Sequence, residues 1–134
     1  MRLVFVALIS LFVGGLAGWK LRYFAADGPD GVQWQFSDAA RRGDIPEMKK
    51  LITAGADPLK IPSYADGAVT SATGLFEAAL AGEPEAVEFL IERGADVNQV
   101  EGTETPLDVA EHRKAQTEKT IMILKQHGAK PLHE

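Results

Sequence analysis

Apolar residues recur along this chain in short blocks with helical spacing, set apart by glycine. Ala86, Val87, Phe89, Leu90 and Ile91 form one such block and predict a helix with a single apolar face. The small residues Ala78 and Ala79 ahead of it suit a second short helix pressed closely against another, and Gly82 separates the two. Gly94 stands just past the second helix, where a left-handed residue carries no Cβ penalty, and Asp96 and Asn98 suit the turn beyond it. Two short helices joined tightly and followed by an extended turn cannot bury their own apolar face, so the unit from Thr73 to Asn98 implies stacked neighbours.

Neighbours are present on both sides. Trp34 to Asp57 repeats the pattern, with Ala39 and Ala40 in the first helix, Gly43 at the break, Leu51 and Ile52 in the second helix and Gly55-Ala56-Asp57 at the end. Trp34 precedes Gly55 by 21 residues, as Thr73 precedes Gly94. A third unit opens at Thr105-Pro106-Leu107-Asp108-Val109-Ala110 and closes at Leu124 and Gly128-Ala129, with 23 residues from Thr105 to Gly128. The Gly-Ala endings lie 39 and then 34 residues apart, so the first connection is longer than the second.

Thr105-Pro106-Leu107 and Gly94-Ala95-Asp96-Val97-Asn98, set in three units between about residues 34 and 130, resemble the ankyrin repeat family. The resemblance implies an all-α solenoid of three helix pairs with extended finger turns, here preceded by one N-terminal apolar helix. It also implies a protein-binding surface formed by the concave face and the fingers. No unit keeps the family's histidine after leucine; Ser37, Phe76 and Asp108 stand there. On the ankyrin pattern Arg41 and Arg42 fall on the rim of the concave face, and Leu80 takes the position corresponding to Arg41. His112 lies on the polar side of the third unit's first helix.

The first connection contains two prolines, Pro58 and Pro62, and Asp66-Gly67, which argue for an extended, turned loop. It reads either as an insertion tolerated at a surface turn or as a finger whose Ile61, Tyr64 and Val69 make contact with a partner. Arg41, Arg42, Tyr64, Leu80 and His112 are therefore the candidate protein-binding residues. Asp44 is placed to cap the helix beginning near Pro46. In the last helix, Ile121, Met122 and Leu124 are expected to form the apolar stripe, with Ile123 exposed or shared with a cap. Lys119, Lys125 and Gln126 give the terminal unit a polar outer side.

Charge narrows the partner. Arg2, Lys20 and Arg22 account for three of the 14 basic residues, so residues 27–134 hold 11 against all 19 acidic ones, a balance of -8. A nucleic-acid backbone needs local positive charge, and this chain does not offer it. There is no cysteine, hence no thiol nucleophile or thiolate metal site.

Leu3 to Trp19 is a run of 17 uncharged residues. It reads as a membrane anchor near the short limit of a spanning helix, with Trp19, Tyr23 and Phe24 as an aromatic belt. A cleaved signal peptide with Gly15-Leu16-Ala17 near its processing site and a buried first helix are its alternatives. The expected organisation is an anchor or signal over 1–24, a linker over 25–33, the repeat domain over 34–130 and a tail over 131–134. The matching localisation is a single-pass bacterial inner-membrane protein with its domain in the periplasm. A soluble periplasmic protein after cleavage and a cytoplasm-facing domain are the other placements.

No catalytic constellation is visible. His112, His127 and His133 lack a ligand spacing, Ser37, Ser63 and Ser71 lack a nucleophile-elbow context, and no phosphate-binding loop is present. The expectation is a non-enzymatic protein-binding module that needs no cofactor, metal or small-molecule substrate. Its partners are another protein and, through residues 3–19, the membrane. Alternatives are an immunity-like inhibitor masking a toxic enzyme, a structural or chaperone-like subunit, and a small hydrolase.

Overall fold

The computed structural model describes residues 29–62, 72–112 and 118–132. Among these residues six helices follow one another: α1 (Pro29–Arg41), α2 (Ile45–Thr53), α3 (Gly74–Ala81), α4 (Pro84–Ile91), α5 (Pro106–His112) and α6 (Glu118–Gln126). They pair as α1–α2, α3–α4 and α5–α6. The first members of the pairs pack in the order α1, α3, α5, and the second members in the order α2, α4, α6. The result is a two-layer, solenoid-like stack, with no β-strand among the described residues.

Local chemistry sets the helix ends. Asp44 Oδ1 accepts from Glu47 N at 3.1 Å and caps α2, with Pro46 in the first turn. Thr73 Oγ1 accepts from Phe76 N at 3.3 Å and does the same for α3. The three Gly-Ala endings share one conformation: Gly55, Gly94 and Gly128 have φ of 106°, 90° and 84°. In each, the following alanine N–H donates back into the helix, to Leu51 O, Leu90 O and Leu124 O at 2.9, 3.1 and 3.0 Å.

The core runs through the stack between the layers. Phe36, Ala39 and Ala40 of α1, Leu75, Ala78 and Ala79 of α3, and Leu107, Val109 and Ala110 of α5 are buried against Met48, Leu51, Val87, Leu90 and Leu124 of the second layer. Alanine at the paired positions lets the first-layer helices approach closely. Gly74 goes further: a Cβ there would lie 3.1 Å from Phe36 Cε1 and 3.5 Å from Ala40 Cβ.

Three expectations change. The first helix begins at Pro29, so residues 29–33, expected as part of a linker, belong to it. In α6 the buried residues are Thr120, Ile123 and Leu124, while Met122 is exposed. The apolar stripe therefore has the i, i+3, i+4 phase of Thr120, and Met122 points outward at the position Glu88 takes in α4.

The third change concerns the membrane. Among the described residues no helix is long and apolar enough to cross one. The longest, α1, has 13 residues, which at about 1.5 Å each reach about 20 Å, against a hydrocarbon core of about 30 Å. The single-pass transmembrane placement is corrected accordingly, and with it the membrane as a partner through residues 3–19 and the inner-membrane localisation. Residues 3–19 themselves, and the signal-peptide reading of them, lie outside the described residues.

Candidate protein-binding face and finger joints

One equivalent position near the C-terminal end of each first-layer helix carries Arg41 in α1, Leu80 in α3 and His112 in α5. Arg41 is exposed and donates to Asp38 Oδ1 at 2.9 Å. That bond and the charges of Asp38 and Glu77 raise the pKa of its guanidinium. Arg42 shares the same aspartate, reaching Oδ2 at 3.3 Å. Leu80 is half-buried and packs against the core, so only part of its side chain faces outward. His112 is exposed, with Nδ1 2.9 Å from Glu104 Oε1. Tyr64 lies outside the described residues, as does Val69. The structure thus describes four of the five candidate residues, three of them well exposed and one largely engaged in packing.

In the opposite layer the largest ring is covered. Phe89 of α4 is covered by Arg93, whose guanidinium carbon lies 3.5 Å from the ring centroid and whose Nη1 donates to Phe89 O at 3.1 Å. Lys49 Nζ is 5.8 Å from the same centroid. Lys119 pairs with Glu85, and Lys125 with Glu111 at 2.7 Å, so α6 is tied to α4 and to α5.

Several residues that sequence reasoning passed over hold the turns in place. Gln33, buried in α1, donates through Nε2 to Asp57 O at 2.7 Å and Lys60 O at 2.8 Å, and its Oε1 accepts from Asp57 N at 2.9 Å. Asn98 links the second finger to the third: its Nδ2 donates to Gly128 O at 3.2 Å, and its Oδ1 accepts from Lys130 N at 2.8 Å. Asp108 occupies the position where the resemblance leads one to expect histidine. Its Oδ2 accepts from Thr105 N and Thr105 Oγ1, both at 2.8 Å, and its carboxylate also receives Leu132 N.

At the middle unit, where Phe76 cannot make those bonds, Glu101 reaches back from the second finger. Its carboxylate accepts from Thr73 N at 3.1 and 2.8 Å and from Thr73 Oγ1. Glu101 is half-buried, and that burial, together with the nearby charge of Glu77, raises its pKa despite the stabilising bonds from Thr73. The position also places a carboxylate at the positive end of α3. The signal available beforehand was the absence of histidine in the turn, which required some other side chain to satisfy Thr73.

A shallow cleft of about 130 Å³ opens between the first and second fingers, walled by Pro58, Leu59, Leu75 and Ala95 with Asp96 and Gln99 at its edge. It is well below the roughly 300–1,000 Å³ of small-molecule sites. Among the described residues no group of three or more histidine or acidic side chains could hold a metal ion.

The family comparison agrees with this geometry at the centre of the stack. Residues 72–101, which run from the entry to α3 through Glu101 of the second finger, match the ankyrin repeat family model. No curated protein matches the chain in sequence. Ankyrin repeats are non-catalytic scaffolds, and the described residues hold no catalytic cluster. Around the matching residues 72–101, the helix pairs on either side form a stack consistent with an ankyrin-repeat-like arrangement.

Proposed function

We propose that the chain is a protein-binding module that engages its partner on the open side of the α1–α3–α5 layer, through Arg41, Arg42, the outward part of Leu80 and His112. Tyr64 is a further proposed contact, from the lengthened first connection. The observation that carries the reading is the equivalent position on three consecutive first-layer helices, occupied by two exposed cationic or titratable side chains flanking a partly exposed leucine. Such a row offers one apolar contact that can be desolvated within a polar rim, the arrangement in which a few residues supply most of the affinity. In the second layer the large ring, Phe89, is already covered by Arg93, and the exposed Met122 lies on α6 at one end of the stack, where α2 and α4 carry Lys49 and Glu88 instead.

The test is site-specific photocrosslinking in the cells that make the protein. A photoreactive residue replaces Arg41 or His112 in one set, and Glu88 or Met122 on the opposite layer in the other. A discrete adduct of one mass from the first set, lost on adding Leu80→Arg, is the expected outcome. Adducts arising only from positions 88 and 122, or from neither set, overturn the assignment of the face.

A further inference from the structure

The joint between the first and second fingers lacks a bond that the other two finger turns have. In the second finger, Asn98 N donates to Asp96 Oδ1 at 2.9 Å and Gln99 N to Asp96 O at 3.3 Å. The first finger builds the same turn: Leu59 N donates to Asp57 Oδ1 at 2.9 Å and Lys60 N to Asp57 O at 3.2 Å. Leu59 therefore stands where Asn98 stands one unit later. Asn98 uses its carboxamide to grip Gly128 O and Lys130 N of the next finger. The corresponding groups one unit earlier are Gly94 O and Asp96 N, and a leucine side chain can bond to neither.

Among the described residues nothing else takes its place: no hydrogen bond is accepted by Gly94 O or donated by Asp96 N. The turn before it is bridged by an amide as well, because Gln33 Oε1 accepts from Asp57 N, the counterpart of Asp96 N and Lys130 N. The cleft described above opens at this unbridged joint, with Leu59 46% exposed on its wall and Gly94, Ala95 and Asp96 lining it.

We propose that this cleft receives an asparagine or glutamine side chain from the bound protein, seated on Gly94 O and Asp96 N as Asn98 is seated on Gly128 O and Lys130 N. The proposal rests on the protein-binding reading and extends its surface from the helix row to the fingers. The choice of a carboxamide follows from the pair of groups to be met. One is an acceptor and the other a donor, two residues apart like Gly128 O and Lys130 N, and a carboxamide presents a matching donor and acceptor. A carboxylate offers no donor to Gly94 O and would sit beside Asp96, while a lysine offers no acceptor to Asp96 N. The apolar wall of Pro58, Leu59 and Leu75 suits the methylene stem. The connection between the fingers, residues 63–71, contains neither asparagine nor glutamine.

The experiment is a heteronuclear NMR titration of the full chain with two capped tripeptides, acetyl-Ala-Asn-Ala-amide and acetyl-Ala-Leu-Ala-amide. The asparagine peptide is expected to shift the Ala95 and Asp96 amides in a saturable way in the millimolar range, and the leucine peptide to leave them in place. Leu59→Asn, at an exposed position that does not endanger folding, fills the joint from within. It is expected to abolish the response and to slow exchange of the Asp96 amide about tenfold, as one added hydrogen bond would. Equal shifts with both peptides, no shift with either, or a response that survives Leu59→Asn overturns the proposal. Crosslinking from positions 41 and 112 reads the helix row independently, so a failed cleft and a failed binding face give different results.

Discussion

Replacing Asn98 by leucine would convert the second finger joint into a copy of the first. The substitution removes the bond from Nδ2 to Gly128 O at 3.2 Å and the bond from Lys130 N to Oδ1 at 2.8 Å. Each such bond contributes about 0.5–1.5 kcal/mol net, and Asn98 is exposed, so water partly replaces what is lost. The expected destabilisation is about 1–2 kcal/mol, a fall in Tm of roughly 5–10 °C for a domain of this size. Asn98→Asp keeps the acceptor for Lys130 N and loses the donor to Gly128 O, so it is expected to fall between the parent and the leucine variant. Urea denaturation gives the free energy, and amide exchange at Lys130 localises it. An unchanged midpoint, together with a Lys130 amide as protected as in the parent, would refute the argument that side-chain amides bind successive fingers together.

Two further outcomes follow from the geometry. Gly94 has φ of 90°, and a Cβ built there meets nothing within 4 Å. The cost of Gly94→Val is therefore backbone strain, at the upper end of about 1–3 kcal/mol; chemical denaturation that shows no loss would remove the left-handed turn from the account. Glu101 has a pKa raised from 4.5 by burial, so its neutral form is the one the fold favours. Its stabilising contribution is complete below pH 4.5 and is lost as pH rises through the raised value. Glu101→Gln should flatten that part of the stability profile between acidic and neutral pH, and an identical slope in parent and variant would show that Glu101 does not titrate differently on folding.

The helix pairs and their endings were legible because the forces behind them act over a few residues. Asp44 caps a helix that starts one residue later, and the glycine that ends each unit is required by its own φ. Asp57 and Asp96 were readable as turn residues for the same reason, each accepting from the N–H two residues on. The phase of α6 was misread. Ile121, Met122, Ile123 and Leu124 are all apolar, and four consecutive apolar residues do not say which of them face inward. Packing on α4 and α5 buries Ile123 and Leu124 and leaves Met122 outside.

The candidate face was legible only by analogy between units. Counting from the start of each unit puts Arg41, Leu80 and His112 in one row, but how far Leu80 sinks into the core depends on its neighbours. The polar residues that join the units could not be assigned in this way. Gln33 bonds to residues 24 and 27 positions away, Glu101 to one 28 away and Asn98 to ones 30 and 32 away.

The amino-acid sequence by itself determined the repeated helix pair, its glycine-terminated turn and the need for stacked neighbours. Those features follow from periodicity, from φ restricted to glycine and from apolar faces too large for one unit to cover. The tertiary structure decided which turns are clasped and which is left open. Whether a side-chain amide meets a free carbonyl and N–H depends on how one finger lies against the next, and stacking sets that distance across about thirty residues of chain.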